Sequence, residues 1–164
     1  FTFVIRTPRG SRQVEAPAGP IIAPVRPDRP VSVLAVDDVA TNRLVIEAML
    51  DQSLVGETIR IDCAASGAEA IEAASAKPYD LILMDIQMPE MDGYMARRLL
   101  QENPATAAIP VVALTALASD QARQSLIGAG FLDCLDKPVD TAELRRVLAQ
   151  VLMPEPSPPM AKSA

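Results

Sequence analysis

Five polar residues stand directly behind short apolar runs, and their types limit what they can do together. Asp37 and Asp38 follow Val31–Val36, Asp85 follows Leu81–Met84 and Thr115 follows Pro110–Leu114. Lys137, itself followed by Pro138, stands just past Phe131–Leu135. Carboxylates held close together repel one another and raise each other's pKa unless a cation sits among them. The 164 residues contain no histidine, which removes imidazole as base, metal ligand or phosphoacceptor. Hard oxygen donors without His or Cys favour Mg²⁺, with Mn²⁺ as an alternative, over zinc. Such an ion takes one or two carboxylates plus phosphate oxygens, so the set suits a phosphoryl-handling site. A lysine adds a fixed positive charge for a phosphate oxygen, and a hydroxyl adds a hydrogen bond to another. One carboxylate can then act as nucleophile and give an aspartyl phosphate. Asp85 is the best candidate, because it ends the central apolar run and precedes the turn Met88-Pro89-Glu90-Met91-Asp92-Gly93. Taken singly, an acid after a strand is an ordinary helix cap or turn residue. Five such positions converging on one edge argue for a site.

What would bring them to one edge is a run of βα units. Val31–Val36, Ile59–Cys63, Leu81–Met84, Pro110–Leu114 and Phe131–Leu135 have strand length, and most are apolar throughout, as strands buried on both faces are. Helical stretches are predicted over Thr41–Asp51, Gly67–Ala76, Met91–Glu102, Asp120–Ala129 and Thr141–Leu152. The first should bury Leu44, Val45, Ala48 and Met49, and the last Leu144, Val147, Leu148 and Val151. Five βα units in about 120 residues imply an α/β fold with a parallel sheet and helices on both faces. In such sheets ligands bind beyond the carboxyl ends of the strands. No GxxxxGK[ST] or GxGxxG loop supports nucleotide binding.

Proline and charge divide the chain alike. Of 15 prolines, six lie in residues 1–30 and four in 154–164, so residues 9–30 and 154–164 read as Pro-rich linker and tail. Residues 1–30 carry five Arg against Glu15 and Asp28, a net +3, so residues 31–153 carry −9 of the chain's −6. That acidic balance argues against nucleic acid as a partner, and no apolar stretch reaches the ~18 residues of a membrane span. Two cysteines make no disulfide framework, so a cytoplasmic, reduced chain is expected. The missing initiator methionine suggests a piece of something longer.

Four motifs in order now resemble one family. Val36-Asp37-Asp38 with Asn42-Arg43, then Leu83-Met84-Asp85-Ile86-Gln87-Met88-Pro89-Glu90-Met91-Asp92-Gly93, Pro110-Val111-Val112-Ala113-Leu114-Thr115-Ala116 and Asp136-Lys137-Pro138 are similar to those of two-component receiver domains. The resemblance covers residues 31–153. It implies a flavodoxin-like (βα)5 doubly wound sheet of strand order 2-1-3-4-5, with Asp85 phosphorylated from a histidine on a separate domain. It implies that Asp38 ligates Mg²⁺ directly, Asp37 chiefly through water, and Asp85 and the backbone carbonyl of Gln87 complete the protein ligands. Thr115 would bond the phosphoryl oxygen, Lys137 would pair with it, and Lys137–Pro138 would be cis, the only kind of peptide where cis is cheap. The partners implied are a histidine kinase phosphodonor domain and a histidine phosphotransfer protein.

One departure stands out. Receiver domains usually carry Tyr or Phe three residues before the lysine as a rotamer switch, and here Cys134 occupies that position. Phe131, read as the start of the fifth strand, does not replace it by register. The implied strand order also puts Cys63 and Cys134 at opposite edges, too far apart for a disulfide, which needs Cα atoms within ~7 Å. Residues 1–8, Phe1-Thr2-Phe3-Val4-Ile5-Arg6-Thr7-Pro8, resemble the last strand of a histidine-kinase ATP-binding domain, which points to a hybrid histidine kinase as parent. The segment is expected to be a phosphoacceptor and not an enzyme in its own right. A phosphatase of the haloacid-dehalogenase type needs an acid two residues past the nucleophile, where this chain has Gln87. The alternative is a pseudo-receiver, an interaction domain regulating an attached kinase without accepting phosphate. Such domains typically lose an acid, the threonine or the lysine, and all five are present here.

Overall fold

Strands and helices alternate through the computed structural model, which describes residues 30–53, 59–116 and 119–152. In chain order they are β1 (Val31–Val36), α1 (Ala40–Ser53), β2 (Ile59–Ala64), α2 (Gly67–Ala76), β3 (Leu81–Asp85), α3 (Gly93–Glu102), β4 (Val111–Thr115), α4 (Asp120–Gly128), β5 (Asp133–Asp136) and α5 (Thr141–Leu152). Residues 1–29 and 153–164, where the kinase-like strand, the linker and the tail were expected, lie outside the described residues.

The continuous apolar runs became interior strands because both of their faces are covered. Leu81–Met84 of β3 and Val111–Leu114 of β4 have no exposed surface at all. All neighbours pair in parallel in the order β2-β1-β3-β4-β5, a flavodoxin-like topology. On one face α2, α3 and α4 bury Ala70, Ala74, Ala96, Leu100 and Leu126 against Leu34, Val36, Ile82, Met84 and Val111. On the other, α1 and α5 cover Val33, Ala35, Leu81, Leu83, Val112 and Leu114. The expected stripe of α5, Leu144, Val147, Leu148 and Val151, is fully buried. β2 and β5 form the edges, which separates Cys63 from Cys134, and both thiols are free.

Helix α1 corrects the sequence reading. Ile46 and Leu50 are buried, and Met49, one of the expected four, packs half-buried against the same core. Ala48 is exposed, and Leu44 is 65% and Val45 45% exposed. Apolar spacing admitted both rotations of this helix. The polar first turn decides between them, because Asn42 donates to the Asp37 carboxylate at the end of β1. Residues 42, 46 and 50 follow at i, i+4 and i+8, so fixing Asn42 inward turns Ile46 and Leu50 onto the sheet.

Two elements also start two residues later than expected. Helix α3 begins at Gly93 and not at Met91, because Asp92 caps it by accepting from Met95 N at 2.8 Å. Strand β5 begins at Asp133 and not at Phe131. Gly130 adopts φ +93°, Gly130 N donates to Ile127 O and Phe131 N donates to Leu126 O. That pattern ends a helix with a left-handed glycine and a hydrophobic clasp, here between Phe131 and Leu126. Phe131 therefore closes α4 before the strand begins.

Substitutions on α1 should separate its two faces. Leu50→Ala is expected to cost about 2–5 kcal/mol in urea unfolding, as a large-to-small change in a core does. Leu44→Ala should stay within about 0.5 kcal/mol, as exposed sites do. The opposite ranking would restore the rotation read from the sequence.

Candidate functional site

Three strand ends carry the site. Asp37 follows β1 by one residue and extends its ladder, with its N–H donating to Ala64 O of the neighbouring strand. It is completely buried. Its Oδ1 accepts from Val39 N at 2.9 Å, both of its oxygens lie 3.1 Å from Asn42 Nδ2, and Oδ2 receives Lys137 Nζ at 2.7 Å. Asp38, next along the chain, is exposed. Asp85 closes β3, opposite Leu114, and is nearly buried. Its Oδ1 accepts from Gln87 N at 3.0 Å and its Oδ2 pairs with Lys137 Nζ at 2.7 Å.

Lys137 reaches this pair because the chain is tied down on either side of it. Its N–H donates to Thr115 O at 2.8 Å, continuing the β4–β5 ladder. The Lys137–Pro138 peptide is cis, as expected. Burial opposes the ammonium's charge, but hydrogen bonds to Asp37 and Asp85 outweigh it and raise the lysine's pKa. Thr115 ends β4 and is half-buried at the same edge.

The turn after Asp85 is held by a glycine. Gly93 N donates to Ile86 O at 3.0 Å. A Cβ on Gly93 would come within 2.5 Å of Asp85 O and 2.9 Å of Ile86 Cα, both backbone atoms that cannot step aside. The start of α3 thus presses on the backbone carrying Asp85, which only a bare Cα allows.

The charges do not balance locally. One oxygen each from Asp37, Asp38 and Asp85 gathers within 4.8 Å, and Lys137 is the cation that touches two of them. Three carboxylates, a set of hard oxygen donors on a rigid edge, fit Mg²⁺ or Mn²⁺ and do not fit a soft metal. Asp37, Asp38, Asp85 and Lys137 therefore meet at the carboxyl edge, Thr115 ends β4 at that edge, and Gln87 bonds Asp85 through its backbone N–H. Asn42 and Gly93, both inside the quoted motifs, were assigned no role from sequence. An amide on the first helical turn after an acid pair, and a glycine closing the turn after Asp85, were the available signals.

Position 134 behaves as a core residue. Cys134 is fully buried in β5 opposite Ala113, and burial pushes its thiol pKa up. Phe131 packs edge-on to Tyr94 of α3, ring centroids 5.9 Å apart. Next to Cys134, the buried Asp133 is paired with Arg123 of α4 and Arg146 of α5.

Fold and site together define a flavodoxin-like α/β domain with an acidic, cation-seeking cluster at its switch point. The chain belongs to the response regulator receiver domain family, whose model matches residues 33–149. The signal transduction histidine-protein kinase BarA of Escherichia coli (strain K12) is 40% identical over 118 residues, 72% of this chain and 12% of that protein. The chain thus spans about an eighth of the length of this curated relative. Among solved structures, the receiver domain of sensor histidine kinase PA1611 from Pseudomonas aeruginosa PAO1 is 37% identical with a TM-score of 0.66. The match covers 76% of this chain and 98% of that one, and that domain has a magnesium ion coordinated in its active site cleft. The receiver domain of Ssk1, in co-crystals with the Saccharomyces cerevisiae histidine phosphotransfer protein Ypd1, gives 25% identity and a TM-score of 0.64. Here 74% of this chain and 88% of that one are covered. Among the described residues no helix is long and apolar enough to cross a membrane.

The charge imbalance has opposite consequences for two substitutions. Unit charges about 5 Å apart repel by about 1 kcal/mol even in water, so Asp38→Ala should raise the melting temperature in EDTA. Lys137→Met should lower it, since two buried carboxylates lose their shared cation. Loss of stability in Asp38→Ala would make Asp38 a structural cap.

Proposed function

We propose that residues 31–153 form the phosphoacceptor of a two-component phosphorelay, with Asp85 as the residue phosphorylated. The observation that carries the reading is a single ammonium shared, at 2.7 Å each, between Asp37 and Asp85 in a group of three carboxylates. An Asp85 carboxylate oxygen attacks phosphorus, the O–P bond forms, and the N–P bond to the donor histidine breaks with the electron pair leaving on imidazole. Lys137 exchanges one carboxylate partner for a phosphoryl oxygen, and Thr115 donates its hydroxyl to another. Asp38, Asp85 and the Gln87 carbonyl would hold Mg²⁺, with Asp37 acting through water. The ion would supply charge neutralisation between the acids and the incoming phosphate. Gln87 places no acid two residues past the nucleophile, in keeping with an acceptor that is not itself a hydrolytic enzyme.

The chain without a histidine needs a partner that brings one, and α1 offers a landing place for it. Leu44 and Val45 are exposed just past the acid pair. Between α1 and the segment after β5 lies a groove of about 180 Å³, lined by Val45, Met49, Pro138 and Val139 together with Asp37 and Lys137. An apolar surface running into the phosphorylation site suits a helical histidine phosphotransfer protein or the helical donor domain of a kinase. Likeness to a receiver crystallised with such a protein supports this reading. Likeness to BarA supports a parent histidine kinase, with residues 1–8 as the end of its ATP-binding domain and residues 9–30 as the linker. The phosphorelay would run in the cytoplasm, where the kinase's ATP is.

Two experiments test the proposal. Asp85→Asn should keep the fold and take up no phosphate from acetyl phosphate with Mg²⁺, by intact mass, whereas the native chain gains one phosphoryl group. Uptake by Asp85→Asn would mean another carboxylate is the nucleophile. Leu44→Glu should slow transfer from a phosphorylated helical partner at least about tenfold, as loss of a central apolar contact does, and leave uptake from acetyl phosphate unchanged. Equal rates with the partner would place its docking elsewhere.

A further inference from the structure

A phosphoacceptor, the reading on which the role of Asn42 rests, needs Asp37 to hold one orientation while its cationic partner changes. An ionised carboxylate has two oxygens and about four lone-pair positions. Asp37 receives three donor atoms in four contacts. Val39 N and Asn42 Nδ2 serve Oδ1, and Asn42 Nδ2 and Lys137 Nζ serve Oδ2. These donors differ in what they fix. Lys137 is shared with Asp85 and sits on a flexible stem, so it restrains Asp37 only until it moves to a phosphoryl oxygen. Val39 N holds one oxygen only. Asn42 alone contacts both oxygens, and so it ties the carboxylate to the first turn of α1 whichever way Lys137 turns.

Asn42 is itself held. Its N–H donates to Val39 O at 3.1 Å in the first turn of α1, and Ile46 and Leu50 seat the same face of that helix in the core. The adjoining Arg43 donates through Nη1 to Asp37 O at 2.5 Å, which pins the backbone of the acid. Side chain and main chain of Asp37 are thus gripped by consecutive residues of one helical turn.

We propose that Asn42 is a positioning residue for the divalent cation, acting solely through Asp37. It holds that carboxylate in place for the cation both before and after Lys137 turns to the phosphoryl group. Partners that orient a metal-binding carboxylate typically account for a factor of 10–100 in metal affinity. A role limited to stabilising α1 would predict something different, namely a lower melting temperature and an unmoved Mg²⁺ affinity.

The test uses the full 164-residue chain. Calorimetric titration with MgCl2 should show the dissociation constant of Asn42→Leu, which keeps the branched heavy-atom shape and removes the donor, raised at least about ten-fold. Asn42→Ala should show the same, and serves if the leucine variant does not fold. Uptake of phosphate from acetyl phosphate should fall at the Mg²⁺ concentration that half-saturates the native chain. It should recover to the native extent once Mg²⁺ saturates the variant. A dissociation constant within about a factor of two of native would overturn the proposal, because outer-shell partners act more strongly than that. Uptake that stays low at saturating Mg²⁺ would also overturn it, since Asn42 would then act on more than cation binding. If the native chain binds Mg²⁺ but takes up no phosphate, and the variants still bind it ten-fold more weakly, the phosphoacceptor reading falls while the role of Asn42 stands.

Discussion

One ammonium between two buried carboxylates organises this domain. Asp37 and Asp85 hang from β1 and β3, neighbouring strands whose register sets Val36 beside Met84. Lys137 arrives from β5, two strands away across β4. The pairing therefore exists only when four strands stand in register, since a slip of one residue would turn each of these side chains to the other face. Buried charges are costly unless paired and hydrogen-bonded, and here each oxygen of Asp37 and Asp85 has a donor. The unbalanced remainder is Asp38 at the exposed rim, where solvent relieves its charge and an ion can reach it. Stability and cation affinity thus oppose each other at the same three residues. The acids that crowd this edge are the ones that suit it to a cation.

Much of this was legible in the sequence because interior parallel strands write themselves as apolar runs, and β3 and β4 have no other face to serve. The polar residue that follows such a run must lie at the carboxyl edge, so Asp37, Asp85, Thr115 and Lys137 were placed by chain order alone. Rotation of α1 was not legible. Leu44 and Val45 carry as much apolar surface as Ile46 and Leu50, and periodicity has no term for a hydrogen bond from Asn42 to a carboxylate five residues upstream. The start of β5 was misread for a related reason. An apolar Phe131 beside Leu132 looks like strand, yet Gly130 at φ +93° and two capping hydrogen bonds give that aromatic to the end of α4.

Cys134 shows how a missing group is accommodated. The thiol takes a fully buried position in β5, on the core face shared with Phe131 and Leu126. The aromatic mass on this side sits one turn earlier, where Phe131 meets Tyr94 edge-on. Around the thiol the backbone is tied by charge, for Asp133 accepts Cys134 N at 2.8 Å while pairing with arginines from α4 and α5. A nearly buried carboxylate paired with half-exposed arginines of both flanking helices links their positions to that of β5.

The face that remains unencumbered is α1, and its exposure follows from the site. Turning Asn42 toward Asp37 spends the helix's inward arc on residues 42, 46 and 50 and sends Leu44 and Val45 to the surface beside Asp38. A helix rotated to bury those two would carry Asn42 away from the acid pair and leave Asp37, at zero exposure, short of two hydrogen bonds. The same rotation would take Ile46 and Leu50 off the sheet, so burying Leu44 and Val45 returns no net apolar area to set against the lost hydrogen bonds. The amide that engages the acid cluster therefore also sets which apolar surface α1 shows next to it.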